Sequence, residues 1–134
     1  MAKILLIDDD EALREVLCIQ LQRANHEVKV ASDGSEVLEN LDAWIGWTDL
    51  VITDLFMPER DGIETLRGLR QSCADLPIIV MSGGGRWQEV EHFLGYATRL
   101  GATQALQKPF SRRALLEAVE VALADQAERR AAAC

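Results

Sequence analysis

Four places in the sequence carry polar residues of complementary chemistry directly after short apolar runs. These are Asp8-Asp9-Asp10 after Ile4-Leu5-Leu6-Ile7, Asp54 after Val51-Ile52-Thr53, Ser82 after Ile79-Val80-Met81, and Lys108 after Leu106-Gln107. A buried apolar strand has no structural reason to end in such residues. Several carboxylates brought within a few Å repel one another and raise one another's pKa, so a cluster of this kind calls for a cation. Oxygen donors with open positions favour a hard ion such as magnesium, which accepts one or two carboxylates together with waters and a phosphoryl oxygen. A lysine on the same edge supplies a fixed positive charge for an incoming phosphate, and a serine supplies a neutral donor. Carboxylate, cation, lysine and hydroxyl together describe phosphoryl transfer to a carboxylate nucleophile. Singly, each residue has a plainer explanation: Asp10 as a helix cap, Ser82 as a loop residue, Lys108 as a solvated charge. The complementary set at four separate strand ends outweighs them.

The elements that must position these residues alternate from end to end, apolar run then helical pattern, which is the signature of an α/β fold with a parallel sheet covered on both faces. Strands are expected over 3–8, 27–31, 49–53, 77–81 and 103–107. In a doubly wound parallel sheet their carboxyl ends share one edge, where ligands bind at the topological switch point. The first helix carries Leu13, Val16, Leu17, Leu21 and Ala24 at helical spacing, with Asn25 suited to a left-handed stop. The second follows Ser32-Asp33-Gly34 and reads as one helix with Val37, Leu38, Leu41, Trp44 and Ile45 as its stripe. A third starts near Ile63, after the breaker-rich segment 57–62. A fourth, roughly 87–100, places Trp87, Val90, Phe93, Leu94 and Ala97 on one face. The last is N-capped by Ser111 and carries Leu115, Leu116, Ala118, Val119, Ala122 and Leu123. From about Asp125 the periodicity lapses, so a single domain over 2–124 with a frayed tail over 125–134 is expected.

A chain of 134 residues suits one domain and leaves no room for a second. The formal net charge of -8 opposes the basic surface that phosphate-backbone binding needs, so no nucleic-acid partner is expected. The apolar runs are far short of the roughly 20 residues of a membrane helix, and Met1-Ala2-Lys3 leads straight into a strand without a signal-peptide pattern. No membrane contact and a cytoplasmic location follow as expectations. Cys18, Cys73 and Cys134 have no metal-ligand spacing and fit reduced thiols.

The blocks Ile4-Leu5-Leu6-Ile7-Asp8-Asp9-Asp10, Asp54 with Met57-Pro58 and Asp61-Gly62, Met81-Ser82-Gly83, and Lys108-Pro109-Phe110 resemble the response-regulator receiver family of two-component signalling. The resemblance extends over about 2–123. It implies a flavodoxin-like (βα)5 fold, a five-stranded parallel sheet in the order 2-1-3-4-5. It also implies a signalling protein rather than an enzyme, one that catalyses only its own phosphorylation and slow dephosphorylation; with no effector domain following Leu123, a stand-alone one is expected. Asp54 would be the phosphoacceptor, supplied by a sensor histidine kinase, a histidine phosphotransfer protein or a small phosphodonor. Magnesium, with manganese as a substitute, would be held by Asp9, Asp54 and the backbone carbonyl of Phe56, with Asp8 acting through a water. Lys108 would pair with Asp54 and then with the phosphoryl oxygens, Ser82 would bond the phosphoryl group as the switch hydroxyl, and the Lys108-Pro109 bond would be cis. Output would pass to a downstream protein through the face formed by the fourth helix, fifth strand and fifth helix, in a monomer or weak homodimer.

Two departures from the family pattern bear on the switch. The aromatic usually found three residues before the lysine is Ala105 here, and the stretch 82–101 is long and contains Gly83-Gly84-Gly85. That triplet is no P-loop, because no Gly-Lys-Ser/Thr follows. Phe56 beside the acceptor implies a shielded phosphoryl group and slow self-dephosphorylation. Competing readings are weaker. An aspartate-nucleophile phosphatase needs Asp-x-Asp-x-Thr, whereas Asp8, Asp10 and Ala12 occupy that frame. A flavin phosphate would be repelled by the acids after the first strand. A degenerate receiver acting as a binding module, or a receiver cut from a longer regulator, are the remaining alternatives.

Overall fold

The computed structural model describes residues 2–55, 62–82, 95, 98–99 and 101–133. Five strands, β1 (Lys3–Ile7), β2 (Glu27–Ala31), β3 (Leu50–Asp54), β4 (Ile78–Ser82) and β5 (Gln104–Gln107), form one parallel sheet in the order β2-β1-β3-β4-β5. Successive side chains of a strand point to opposite faces, and here both faces are buried, so the inner strands read as unbroken apolar runs. Leu5, Ile7, Val51, Ile78 and Val80 enter one core, and Ile4, Leu6, Leu50, Ile52, Ile79 and Met81 the other. Nearly all of these side chains are wholly buried. Each contributes about 1.5–3 kcal/mol relative to an exposed position.

Helices α1 (Glu11–Arg23) and α5 (Arg112–Ala133) cover the second core through Leu17, Leu21, Leu115, Val119 and Ala122. Helix α1 opens on Asp10, whose Oδ1 accepts from the Leu13 amide at 3.1 Å. Beyond its end Asn25 takes φ 71°. Val16, expected in the buried stripe, is 50% exposed and faces outward. Ser111 Oγ accepts from the Ala114 amide at 3.0 Å and starts α5. That helix continues through the stretch expected to fray, ending at Ala133, with Gln126 buried. Helix formation there needs no apolar stripe, because Ala, Glu and Arg are strong helix formers.

The first core is covered by α2 (Gly34–Leu38), α3 (Leu41–Trp47) and α4 (Gly62–Ser72). The single second helix expected from the sequence is two, separated at Asn40, whose φ of -132° and ψ of 44° are not helical. The reason is tertiary. A Cβ at Gly34 would fall onto Thr65 Oγ1 and one at Gly68 onto Leu38 Cδ2, so α2 lies flush on α4. The break lets Leu41, Trp44 and Ile45 turn back onto the same core.

This close approach predicts that Gly34→Ala lowers stability by about 1–3 kcal/mol, because Thr65 is buried and β-branched and cannot retreat. Gly46 has nothing within 4 Å, so Gly46→Ala in α3 should gain up to about 1 kcal/mol. Denaturant midpoints of the pair check this; equal shifts would contradict the packing account. Six expected strand boundaries shift by one residue, three of them carboxyl ends, most consequentially that of β3, which includes Asp54. Among the described residues no helix is long and apolar enough to cross a membrane.

Candidate functional site

Parallel pairing brings the strand ends to one edge in register: Ile7 sits opposite Thr53, Asp54 opposite Met81, and Ser82 opposite Gln107. Asp8 follows β1 directly, Asp54 and Ser82 are the last residues of β3 and β4, and Lys108 follows β5. The sheet therefore delivers three acids, a hydroxyl and an ammonium to the same place. Carboxylate oxygens of Asp8, Asp9 and Asp54 all lie within 4.8 Å of one another. Asp8 and Asp54 are buried and Asp9 is exposed.

Lys108 Nζ lies 2.7 Å from Asp54 Oδ2 and 3.2 Å from Asp8 Oδ2, spanning the two buried acids. Burial alone would lower its pKa, but the hydrogen bond and charge of Asp54, followed by those of Asp8, outweigh it and hold the ammonium above its ordinary value. Burial raises the pKa of Asp8, and the Asp54 charge adds to this; the Asp10 amide and Lys108 pull the other way. The backbone amide of Lys108 donates to the Ser82 carbonyl at 2.6 Å, tying the ends of β4 and β5 together. The Lys108-Pro109 peptide is cis. Ser82 Oγ is buried and finds no hydrogen-bond partner among the described residues.

The acid loop is itself braced. Asp8 Oδ1 accepts from the Asp10 amide at 2.9 Å, and Arg14 Nη1 donates to the Asp8 carbonyl at 2.8 Å. Arg14 was not among the residues singled out from the sequence. The signal for it is its position, a cation in the first turns of a helix, where the macrodipole disfavours positive charge. In front of the acids lies a cleft of about 590 Å³ lined by Asp9, Asp54, Lys108, Leu13 and Phe110 among others.

The donor set fits a hard divalent cation. It offers carboxylate oxygens and no nitrogen or sulfur, three acids face one ammonium, and exposed Asp9 leaves room for water and an incoming oxygen. Phe56, Gly83 to Gly85 and, apart from 95 and 98–99, the fourth helix expected over 87–100 lie outside the described residues. Ala105 is half-buried and packs toward the first core, opposite Val80.

A family model described as the response regulator receiver domain matches residues 4–120. The transcriptional regulatory protein CpxR of Escherichia coli (strain K12) is 39% identical over 123 residues, which are 92% of this chain and 50% of that protein. The alkaline phosphatase synthesis transcriptional regulatory protein PhoP of Bacillus subtilis (strain 168) is 36% identical over 111 residues, 83% of this chain and 44% of that one. The chain thus spans about half the length of these relatives. Among solved structures, a response regulator receiver domain protein from Clostridium thermocellum matches with a TM-score of 0.83 at 28% identity, covering 94% of this chain and 97% of that one.

Proposed function

The chain belongs to the response-regulator receiver family, and from that premise we propose that Asp54 takes a phosphoryl group from a phosphohistidine on a sensor histidine kinase or histidine phosphotransfer protein. The observation that carries this reading is the Lys108 ammonium, 2.7 Å from the Asp54 carboxylate on an edge shared with two further acids. An Asp54 carboxylate oxygen attacks phosphorus, the phosphorus–nitrogen bond of the donor breaks, and the imidazole leaves with its electron pair and takes up a proton. Lys108 stays protonated throughout and passes from the carboxylate to the phosphoryl oxygens. Ser82 Oγ, buried and without a partner among the described residues, donates to one of those oxygens and draws its strand end toward Asp54.

Asp9, Asp54 and the Phe56 carbonyl would hold magnesium or manganese, with Asp8 acting through a water. The ion supplies neutralisation of the negative charge that gathers between carboxylate and phosphoryl group. The protein is a signalling module of the cytoplasm rather than a turnover enzyme. Its output is a protein contact through the face of the fourth helix expected from the sequence, β5 and α5, without contact to nucleic acid or membrane by this domain, and its own association is no stronger than a weak homodimer. The phosphotransfer chemistry is the same whether the receiver stands alone or is joined to a further module, as in relatives of twice its length.

Incubation with acetyl phosphate and Mg2+, followed by intact-mass measurement, tests the reading. Wild type should gain one phosphoryl group and Asp54→Ala none. Absence of any adduct on wild type, with acetyl phosphate and with several kinases, would favour the phosphorylation-independent binding module instead.

A further inference from the structure

We propose that Arg14 is a positioning residue for the cation site, holding the Asp8–Asp9 peptide so that both acids face Asp54; this rests on the phosphoacceptor reading above. Asp8 and Asp9 leave opposite ends of one planar peptide unit, so fixing its carbonyl fixes the direction in which the Asp9 chain departs. Three consecutive peptide units of the loop are held. The Asp8 amide donates to the Ala31 carbonyl at 3.2 Å, and the Asp10 amide donates to Asp8 Oδ1 at 2.9 Å. The middle unit is held by Arg14 Nη1, 2.8 Å from the Asp8 carbonyl.

Arg14 is in turn fixed to the same loop, because its own amide donates to the Asp10 carbonyl at 2.9 Å in the first turn of α1. The guanidinium thus closes a ring from the helix back to the end of β1. Arg14 is not among the described residues that line the cleft in front of the acids; it lines a separate hollow with Glu15, Cys18, Ile19 and Val30. It therefore acts on the acids through the loop backbone, from outside the lining of that cleft. A cation at this end of a helix opposes the macrodipole, and the charged hydrogen bond to a carbonyl compensates. Partners that orient ligands from behind typically change metal affinity by about 10–100-fold when removed.

Two effects of the residue oppose each other, and that makes the proposal testable. Its positive charge repels a divalent cation, so a purely electrostatic role predicts tighter binding when it is removed. A positioning role predicts weaker binding. The measurement is Mg2+ affinity by titration calorimetry in the absence of any phosphodonor, with a thermal melt of each variant beside it. Arg14→Met should bind Mg2+ about 10-fold or more weakly. Arg14→Lys, which keeps charge, length and a donor, should stay within about 3-fold of wild type, less than half a decade of the loss set by orientation. Arg14→Gln, polar and helix-favouring but too short to close the ring, should follow Met and carries the test if Met fails to fold. Equal or tighter Mg2+ binding by Met or Gln overturns the proposal, as does a lowered melting temperature with unchanged affinity. If wild type binds neither Mg2+ nor Mn2+, the cation site itself fails and Arg14 with it. A wild type that binds the ion yet takes up no phosphoryl group would overturn only the acceptor reading.

Discussion

Lys108→Met is expected to slow phosphoryl uptake from acetyl phosphate by about 100-fold or more, the usual cost of removing one aimed donor from a developing charge. The same substitution should tighten Mg2+ binding in the resting protein. Both follow from one geometry. The Lys108 ammonium spans Asp54 Oδ2 at 2.7 Å and Asp8 Oδ2 at 3.2 Å, so in the resting site it is a cation already seated among the acids that a metal would use. Removing it leaves Asp8, which has no exposed side-chain surface, facing Asp54 without the ammonium that spans them. That arrangement costs up to about 3 kcal/mol of stability at neutral pH, near the low end for a broken buried pair because Lys108 is 20% exposed. Added Mg2+ should recover most of the loss. Rapid-quench mass measurements and Mg2+-dependent melts check the two halves. Uptake at the wild-type rate would show that Lys108 is merely a structural counter-ion.

Withdrawing divalent cations with a chelator should slow uptake by about 1000-fold. The attacking carboxylate must approach a negatively charged phosphoryl group while Asp8 and Asp9 stand within 4.8 Å of it. One unit-charge repulsion at 4 Å is worth about 4 kcal/mol near a protein surface, or about three decades in rate. Lys108 is a single charge shared between two acids and cannot offset all of it. Mg2+ or Mn2+ added back in excess of the chelator should restore the rate. A rate indifferent to chelation would mean that Lys108 and Ser82 suffice alone, and would remove the reason for Asp9 to be there.

How much of this was legible in the sequence depends on where each feature's cause lies. The sheet and the convergence of Asp8, Asp54, Ser82 and Lys108 were legible because strands buried on both faces are almost wholly apolar, and polar residues at their ends stand out. The end of β3 at Asp54 rather than Thr53 was not, since a strand stops where its ladder stops and the partners are set by the neighbouring strand. The division of α2 from α3 comes from Gly34 against Thr65 and Gly68 against Leu38, contacts between segments about thirty residues apart that no local pattern records. Arg14 was missed for a related reason. On α1 it reads as a surface charge, and only the turn of the loop at Asp8 brings a carbonyl within its reach.

The most direct test of the central claim is to locate the phosphoryl group. Protein phosphorylated with acetyl phosphate and Mg2+ is reduced with borohydride, which converts an aspartyl phosphate to homoserine, and the digested peptides are sequenced by mass spectrometry. The account predicts homoserine at position 54 alone. Homoserine at position 8, 9 or 10, or an adduct that borohydride does not reduce, would contradict it.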